Sequence, residues 1–460
     1  MGSMRKFVQR FLRRYWIWYY TLKPAHALII GYTFYIAVAF ALLSLPVCRK
    51  VTDVSIVDTL FTAVAVISTT GMQSVNFAET YNMLGQIVIL LGLQLGGLGY
   101  MTLGSLVIMA SKGHLSQKRI KIGKAVLAMP ASFEPQRFFK HIFVFTFAIE
   151  TIGALILWIC FQAADVPNPL WAAIFHSVSA FCTAGVSIFP NNLESFADNT
   201  TICLTISLLC LLGGIGFIVL DDFYRSIKSK SFRATLTTRI ILVATFGAIF
   251  AGTVFFFFDP NIAALPLKQH VLAAFFQAVV ALTTAGFSMF PISNLAAGSL
   301  VIMMILMTLG ASPSGTGGGL KTTTWSAAIA AILSFFRGKE EITFFGNAVP
   351  HGRTTAAFAA ITLYMITFAA GLYCLLLFDP HPFERVVLEV VAALGTSGLS
   401  CGITAELSLV GKIIIMTLMF VGRLGVVVLA LGAVALYRDI THDTDEPDTP
   451  PPVQEDDIVL

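Results

Sequence analysis

Four glycines, Gly71, Gly185, Gly286 and Gly398, each close a Thr-x-Gly tripeptide at the end of a short apolar segment held between two long hydrophobic stretches. The tripeptides are Thr69-Thr70-Gly71, Thr183-Ala184-Gly185, Thr284-Ala285-Gly286 and Thr396-Ser397-Gly398, with glycines 114, 101 and 112 residues apart. A near-constant period of this kind marks internal duplication. Glycine lets a backbone turn its carbonyl oxygens toward a common axis, where they can replace the water around a cation. The spacing therefore predicts one ion site built from the main chain of four repeated units. Thr102-Leu103-Gly104, Thr245-Phe246-Gly247 and Thr308-Leu309-Gly310 have the same pattern, so the signal lies in the position of the four copies and not in the tripeptide.

A second constellation is the run Gly310-Ala311-Ser312-Pro313-Ser314-Gly315-Thr316-Gly317-Gly318-Gly319-Leu320-Lys321, inside the sixth apolar stretch. Its glycines, at up to about 1 kcal/mol each, and its proline, at about 3, cannot hold a helix. The expectation is a flexible loop below the ion site, with a helix kink as the alternative. A phosphate-binding loop needs Gly directly before the Lys, and Leu320 stands there. Arg423 falls near the middle of the last stretch, where a charge costs at least about 2.5 to 3.5 kcal/mol. It aligns with Gly97 and Gly214 of the first two units. Its guanidinium either projects into the pore as an electrostatic barrier to cations or is clamped by a buried carboxylate or by loop carbonyls. Lys321 either steadies the loop or meets a carboxylate from a partner protomer. Nine residues before each glycine stand Thr62, His176, Gln277 and Glu389, polar positions that face protein or water and not lipid.

Elements long enough to position these residues are evident in the composition. The 460 residues are 57% hydrophobic and 12% charged, with a mean hydropathy of +0.83, which places the chain in a membrane. Eight stretches approach the roughly 20 apolar residues that a bilayer requires: near 25–47, 81–110, 141–161, 201–220, 239–258, 298–335, 354–378 and 408–437. Between paired stretches lie the short segments Asp58–Ser68, Pro169–Cys182, Lys268–Thr283 and Phe383–Gly395. Non-helical backbone survives at membrane depth only when buried or lining a wet cavity, and a half-helix ending at such a loop turns its partly negative end toward the site. The expectation is an all-α membrane protein of four pseudo-symmetric helix, pore-helix-loop, helix repeats around a central ion pore, laid out like a potassium channel.

The repeats are 25–110, 141–220, 239–336 with the loop 310–321 inside it, and 354–438. Between them run 111–140, 221–238 and 337–353, with an amphipathic N-terminus at 1–24 and an acidic tail at 439–460. Lys and Arg concentrate before the first stretch and after the second and fourth, so these segments and both termini read as cytoplasmic. From His442 onward the tail has seven acids, no Lys or Arg, and Pro450-Pro451-Pro452, a disordered composition. The seven cysteines lack paired short spacing and the eight histidines lack metal-ligand spacing. No nucleotide fingerprint, metal triad or nucleophile-base pair marks an enzyme. The scaffold of an ion-pumping ATPase would need paired intramembrane carboxylates, and Glu389 has no evident acidic companion. A carrier with alternating access usually has two repeats, not four.

With four such units and a glycine-rich break in the sixth stretch, the chain resembles the Trk/Ktr/HKT superfamily of potassium transporters, most closely its KtrB-type membrane subunits. The residues that carry the resemblance are Ile67-Ser68-Thr69-Thr70-Gly71-Met72, Ala281-Leu282-Thr283-Thr284-Ala285-Gly286-Phe287, Gly310 to Lys321, and Gly422-Arg423-Leu424-Gly425. Trk-type proteins usually carry two further N-terminal spans, which favours Ktr over Trk. The resemblance implies a multi-pass protein of the bacterial plasma membrane that takes up K+ through a selectivity filter formed by the four tripeptides. It further implies Gly310, Gly315, Thr316, Gly317, Gly318, Gly319 and Lys321 as an intramembrane gate. A homodimer, a cytosolic nucleotide-binding ring of KtrA-like subunits, and Na+ as a candidate stimulating ion complete the implication, with no organic cofactor in this chain. Gly71 in the first filter goes with K+; within the plant branch, Ser there goes with Na+.

Overall fold

The computed structural model describes residues 24–51, 53–110, 135–229, 234–339, 341–349 and 351–430. The expected amphipathic N-terminus, apart from residue 24, most of the 111–140 loop, and the acidic tail lie outside the described residues. Apart from a two-residue hairpin pairing Thr343–Phe344 with Asn347–Ala348, the regular structure is helical.

The first unit is α1 (Pro24–Leu43), α2 (Ile56–Ile67) and α3 (Met83–Ala110). The second is α4 (Pro135–Ala163), α5 (Pro169–Phe181), α6 (Thr200–Ile215) and α7 (Phe217–Ser229). In the third, α8 (Leu236–Phe257), α9 (Leu267–Thr283) and α10 (Ala297–Leu309) lead through 310–321 into α11 (Thr322–Phe336). The fourth is α12 (His351–Phe378), α13 (Phe383–Leu394) and α14 (Leu409–Leu424). The short helices α2, α5, α9 and α13 match the four predicted segments to within two residues at each end.

Local chemistry sets these boundaries. The Ser55 hydroxyl accepts the Asp58 N–H at the start of α2, and Pro169 opens α5 where a missing N–H costs nothing. Asn199 caps α6 and Ser408 caps α14 through their side chains. Asp259, in Phe258-Asp259-Pro260, accepts the Asn261, Ile262 and Ala296 N–H groups and so fixes the end of α8 to the start of α10. Asp379, in the matching Phe378-Asp379-Pro380, does the same between α12 and α14 through Ser408.

Among the described residues, α4, α8 and α12 are long and apolar enough by themselves to cross a membrane, and they turn Ile159, Phe250 and Ile366 outward. The fourth and eighth expected spans are not single helices. The chain bends by 95° between α6 and α7 at Gly216, and α14 stops at Leu424, before Gly425. Both glycines have positive φ, 90° and 85°, which ends a helix that apolar composition alone would continue. Among the described residues, the two largest buried cores draw mainly on units two and three and on units one and four. An Asp58–Lys412 ion pair of 2.7 Å ties α2 to α14 and joins the first unit to the last.

Candidate ion site

All four tripeptides make the same backbone turn. Thr69, Thr183, Thr284 and Thr396 have φ of 51°, 50°, 55° and 48°, and Gly71, Gly185, Gly286 and Gly398 have 74°, 65°, 66° and 76°. Left-handed backbone at a β-branched residue costs of order 1–3 kcal/mol and persists only where the surroundings enforce it. Here the middle residue of each turn donates its N–H back into the preceding short helix. Thr70, Ala184 and Ala285 reach the carbonyls of Ala65, Ser179 and Val280 at 2.9 Å each, and Ser397 reaches Ala392 at 2.8 Å. The four Thr and four middle residues are fully buried.

The turns close into a ring. A Cβ placed on Gly71 would run into the carbonyl oxygen of Ala184, one on Gly185 into that of Ala285, one on Gly286 into that of Ser397, and one on Gly398 into that of Thr70. Each glycine thus meets the middle residue of the next unit, and the fourth returns to the first. A deeper layer repeats the order, with Gly97 against Cys182 and Gly214 against Thr283. Gly96, Gly213 and Gly422 let the second long helix of their own unit press on the carbonyls of Ile67, Phe181 and Leu394, at the ends of α2, α5 and α13. The four short helices therefore end at one ring of main-chain oxygens, with their partly negative termini beside it.

Thr62, His176, Gln277 and Glu389 are fully buried behind this ring. His176 Nε2 lies 2.9 Å from Ser187 Oγ, two residues beyond Gly185. Gln277 Nε2 donates to the Phe290 carbonyl at 3.3 Å. Glu389 accepts from Ser400, two residues beyond Gly398, and from Thr404 at 3.0 and 3.1 Å. Three of the four polar positions thus hold the chain that leaves the turn, while Thr62 bonds back to Asp58 within α2.

The segment 310–321 is non-helical and packs directly beneath the ring. Thr316 Oγ1 lies 3.2 Å from Thr183 Oγ1 and donates to the Phe181 carbonyl at 2.9 Å, while the Gly318 N–H donates to Thr284 Oγ1 at 2.9 Å. A Cβ on Gly317 would meet the Thr283 carbonyl at 2.6 Å, and one on Gly318 the Gly395 carbonyl at 2.5 Å. The segment therefore touches the base of three of the four turns. Gly310 and Gly319 have positive φ, and a Cβ on Gly315 would meet the Gly214 carbonyl at 2.6 Å. The Ser312 and Thr316 N–H groups donate to Gly214 and Gly213, and Ser314 accepts the Phe217 and Ile218 N–H groups. The broken fourth span is thus the cradle of the segment.

Arg423 takes the carbonyl clamp of the two placements the sequence left open. Its guanidinium donates to Thr316 O of the segment, and to Gly96 O at 2.5 Å and Gly97 O at 3.4 Å on α3. It sits in the last turn of α14, not in the middle of an unbroken span. Lys321 donates to Gly317 O at 2.7 Å and precedes α11, so it ties the segment to itself. Sequence reasoning passed over Glu150, buried in α4, whose Oε2 receives Gln94 Nε2 at 3.2 Å, with Gln94 in turn 3.7 Å from the Cys182 thiol. It also passed over the breaks at Gly216 and Gly425, although Gly213-Gly214-Ile215-Gly216 and Gly422-Arg423-Leu424-Gly425 share a Gly-x-x-Gly signal.

Comparison with known proteins shows the family and the fold. A family model described as a cation transport protein, TrkH, matches residues 24–440. The Ktr system potassium uptake protein B of Bacillus subtilis is 33% identical over 408 residues, covering 87% of this chain and 91% of that protein. Its namesake from Vibrio alginolyticus is 34% identical over 399 residues, covering 85% and 86%. The crystal structure of the potassium transporter TrkH from Vibrio parahaemolyticus superimposes with a TM-score of 0.68 over 87% of this chain and 84% of that one, at 17% identity, and so shares the fold. These relatives are named for ion uptake and not for a chemical reaction. With the family model spanning nearly all of the described helices, the chain belongs to the TrkH family of cation transport proteins.

Proposed function

We propose that the chain is the membrane subunit of a bacterial potassium uptake system of the Ktr type, and that it conducts K+ through the ring formed by Thr69–Gly71, Thr183–Gly185, Thr284–Gly286 and Thr396–Gly398. The observation that carries the reading is the closed order in which each ring glycine faces the next unit's carbonyl. A ring of such oxygens replaces the hydration shell of a monovalent cation without side-chain chemistry. One glycine per turn gives fewer stacked carbonyl rings than a Thr-Val-Gly-Tyr-Gly channel, so selectivity is looser. The repeats 25–110, 141–220, 239–336 and 354–438 are the four quarters of this pore, with both termini in the cytoplasm.

In the same reading Gly310, Gly315, Thr316, Gly317, Gly318, Gly319 and Lys321 belong to the gate. The contacts of Thr316, Gly317 and Gly318 beneath three of the turns support it, and Arg423 pins the gate shut by holding Thr316 O. The functional unit is a homodimer above a cytosolic nucleotide-binding ring that moves the adjoining helices, with Na+ as a stimulating ion. The test is rubidium uptake into vesicles, with and without Na+, comparing the parent with Gly286→Ser. A side chain there meets the Ser397 carbonyl and a φ of 66°, so discrimination between K+ and Na+ should fall. Unchanged selectivity in the variant would remove the ring from the transport path.

A further inference from the structure

The carbonyl that ends a helix needs a donor from elsewhere, because the helix supplies none beyond its last turn. In α2 that carbonyl is Ile67 O, four residues before Gly71, and the Gly71 N–H that a continuing helix would offer turns back to Ala65 O at 3.2 Å. The Tyr32 hydroxyl of α1 donates to Ile67 O instead. In α5 the matching carbonyl is Phe181 O, four residues before Gly185, and it receives the Thr316 hydroxyl of the segment 310–321 at 2.9 Å. Units one and two thus finish their short helices on a hydroxyl from another element, and Arg423 stands between the two donors. Its guanidinium donates to Thr316 O and lies within hydrogen-bonding reach of the Tyr32 hydroxyl. Tyr32 is buried, and its ring meets Phe420, one helical turn before Arg423 on α14, edge-on at 5.8 Å. Gly96 presses on the Ile67 carbonyl from the other side, and its own carbonyl takes the second Arg423 bond.

We propose that Tyr32 is a positioning residue that couples the Arg423 clamp to the first turn of the ring. A tyrosine hydroxyl has one proton to give and lone pairs to accept with, while a guanidinium has donors alone. With its proton given to Ile67 O, the Tyr32 oxygen turns its lone pairs to Arg423. One atom therefore holds the end of α2 and steadies the fork that grips Thr316, and a hydrogen bond from a charged donor is about twice as strong as a neutral one. Release of Thr316 from the clamp reaches the first turn through this oxygen. Phenylalanine at position 32 keeps the ring and its contact with Phe420 and removes the oxygen alone. The inference rests on the reading of 310–321 as a gate, and its test has one arm that does not.

For that test, rubidium uptake is measured in vesicles of equal protein content for the full-length parent, Tyr32→Phe, Arg423→Gln and the double variant. Tyr32→Phe should raise uptake roughly fivefold, the change in open population that loss of one hydrogen bond produces. In the Arg423→Gln background it should add nothing, because the hydroxyl acts through the clamp. Parental or lowered uptake in Tyr32→Phe, or the same rise in both backgrounds, as a merely structural tyrosine would give, overturns the coupling. The independent arm is hydrogen exchange of the amides 310–321 in the purified protein. Their exchange should quicken in Tyr32→Phe, and no further when Tyr32→Phe is added to Arg423→Gln, while the amides 236–257 of α8 keep parental rates. Parental rates at 310–321, or quickening shared equally by α8, overturn the coupling whatever the uptake. Quickening confined to 310–321, in a chain whose parent takes up no rubidium, upholds it while refuting the transport reading.

Discussion

Replacing Arg423 separates two ways in which one buried cation can close a pore. As a point charge, it repels a permeating ion. At an effective dielectric of 20 and a separation of ~8 Å that repulsion is about 2 kcal/mol, or roughly 30-fold in rate. As a planar fork, it joins Thr316 of the segment beneath the ring to Gly96 and Gly97 of α3. Hydrogen bonds to a charged group are worth about 1.5–3 kcal/mol each, so the one to Thr316 O holds the segment by as much as the point charge repels an ion, and the bond to Gly96 O on α3 fixes the fork that makes it. Arg423→Gln removes both effects, and Arg423→Lys keeps the charge but not the fork. The geometry predicts that the Lys variant behaves like Gln, with rubidium uptake raised by an order of magnitude or more in vesicles of equal protein content. A Lys variant with parental uptake would show that charge, not the clamp, is the barrier. Parental kinetics in Arg423→Gln would remove Arg423 from the closed state altogether.

Two further expectations follow from side chains behind and outside the ring. Glu389→Ala removes the carboxylate that accepts from the Ser400 and Thr404 hydroxyls and leaves Thr404 only Ser400 to donate to, at about 1–3 kcal/mol. It should weaken the discrimination of rubidium against competing Na+, while Glu389→Gln, which can still accept, keeps it; equal selectivity in all three proteins would show that the strut does not position the fourth turn. Asp259 sits outside the spans. Burial raises its pKa, but the Ser299 hydroxyl and the N–H groups of Ala296, Ile262 and Asn261 outweigh this and hold it below the usual carboxylate range. Its contribution to stability is therefore complete above the ordinary carboxylate pKa and is lost as pH falls through the lowered value. Thermal unfolding in detergent should lose less stability between pH 6 and pH 3 in Asp259→Asn than in the parent, and parallel curves would refute the assignment.

The four short helices and their turns were legible because three local signals coincide: a segment too short to span, a cap or proline at its start, and a glycine at its end. The αL conformation at Thr69, Thr183, Thr284 and Thr396 was not legible, since a β-branched residue avoids that region unless the fold imposes it. The breaks at Gly216 and Gly425 were hidden for a related reason. Hydropathy continues across both, and Gly99, at the same place in the first unit's Gly96-Gly97-Leu98-Gly99, lies inside the unbroken helix α3. The same motif is thus straight once and broken twice, and at Gly216 what differs is the partner. Gly213 and Gly214, just before Gly216, receive hydrogen bonds from the segment 310–321, and Phe217 and Ile218, just after it, donate to that segment. The placement of Arg423 could not be decided from one sequence because the carbonyls that hold it lie 107 and 327 residues away.

On the proposed reading of the segment 310–321 as a gate, closure depends on where the four quarters differ. At one register of the second long helix, units one and two carry Gly97 and Gly214, whose lack of a side chain lets them press on Cys182 and Thr283 of the next unit. Unit four carries Arg423 there, and unit three replaces the helix with the segment 310–321. The two departures meet, because the Arg423 guanidinium ends on Thr316 O of that segment. The strained turns above share one geometry in all four units, as the proposed filter requires, while the layer beneath them is asymmetric, as the proposed gate anchored at one side requires. Restoring symmetry in that layer should therefore open the path without altering the ring. Arg423→Gly, which copies units one and two, should raise rubidium uptake as Arg423→Gln does and leave the preference for K+ over Na+ at its parental value. Raised uptake with lost preference would mean that the clamp shapes the ring itself, and the division between a symmetric filter and an asymmetric gate would fail.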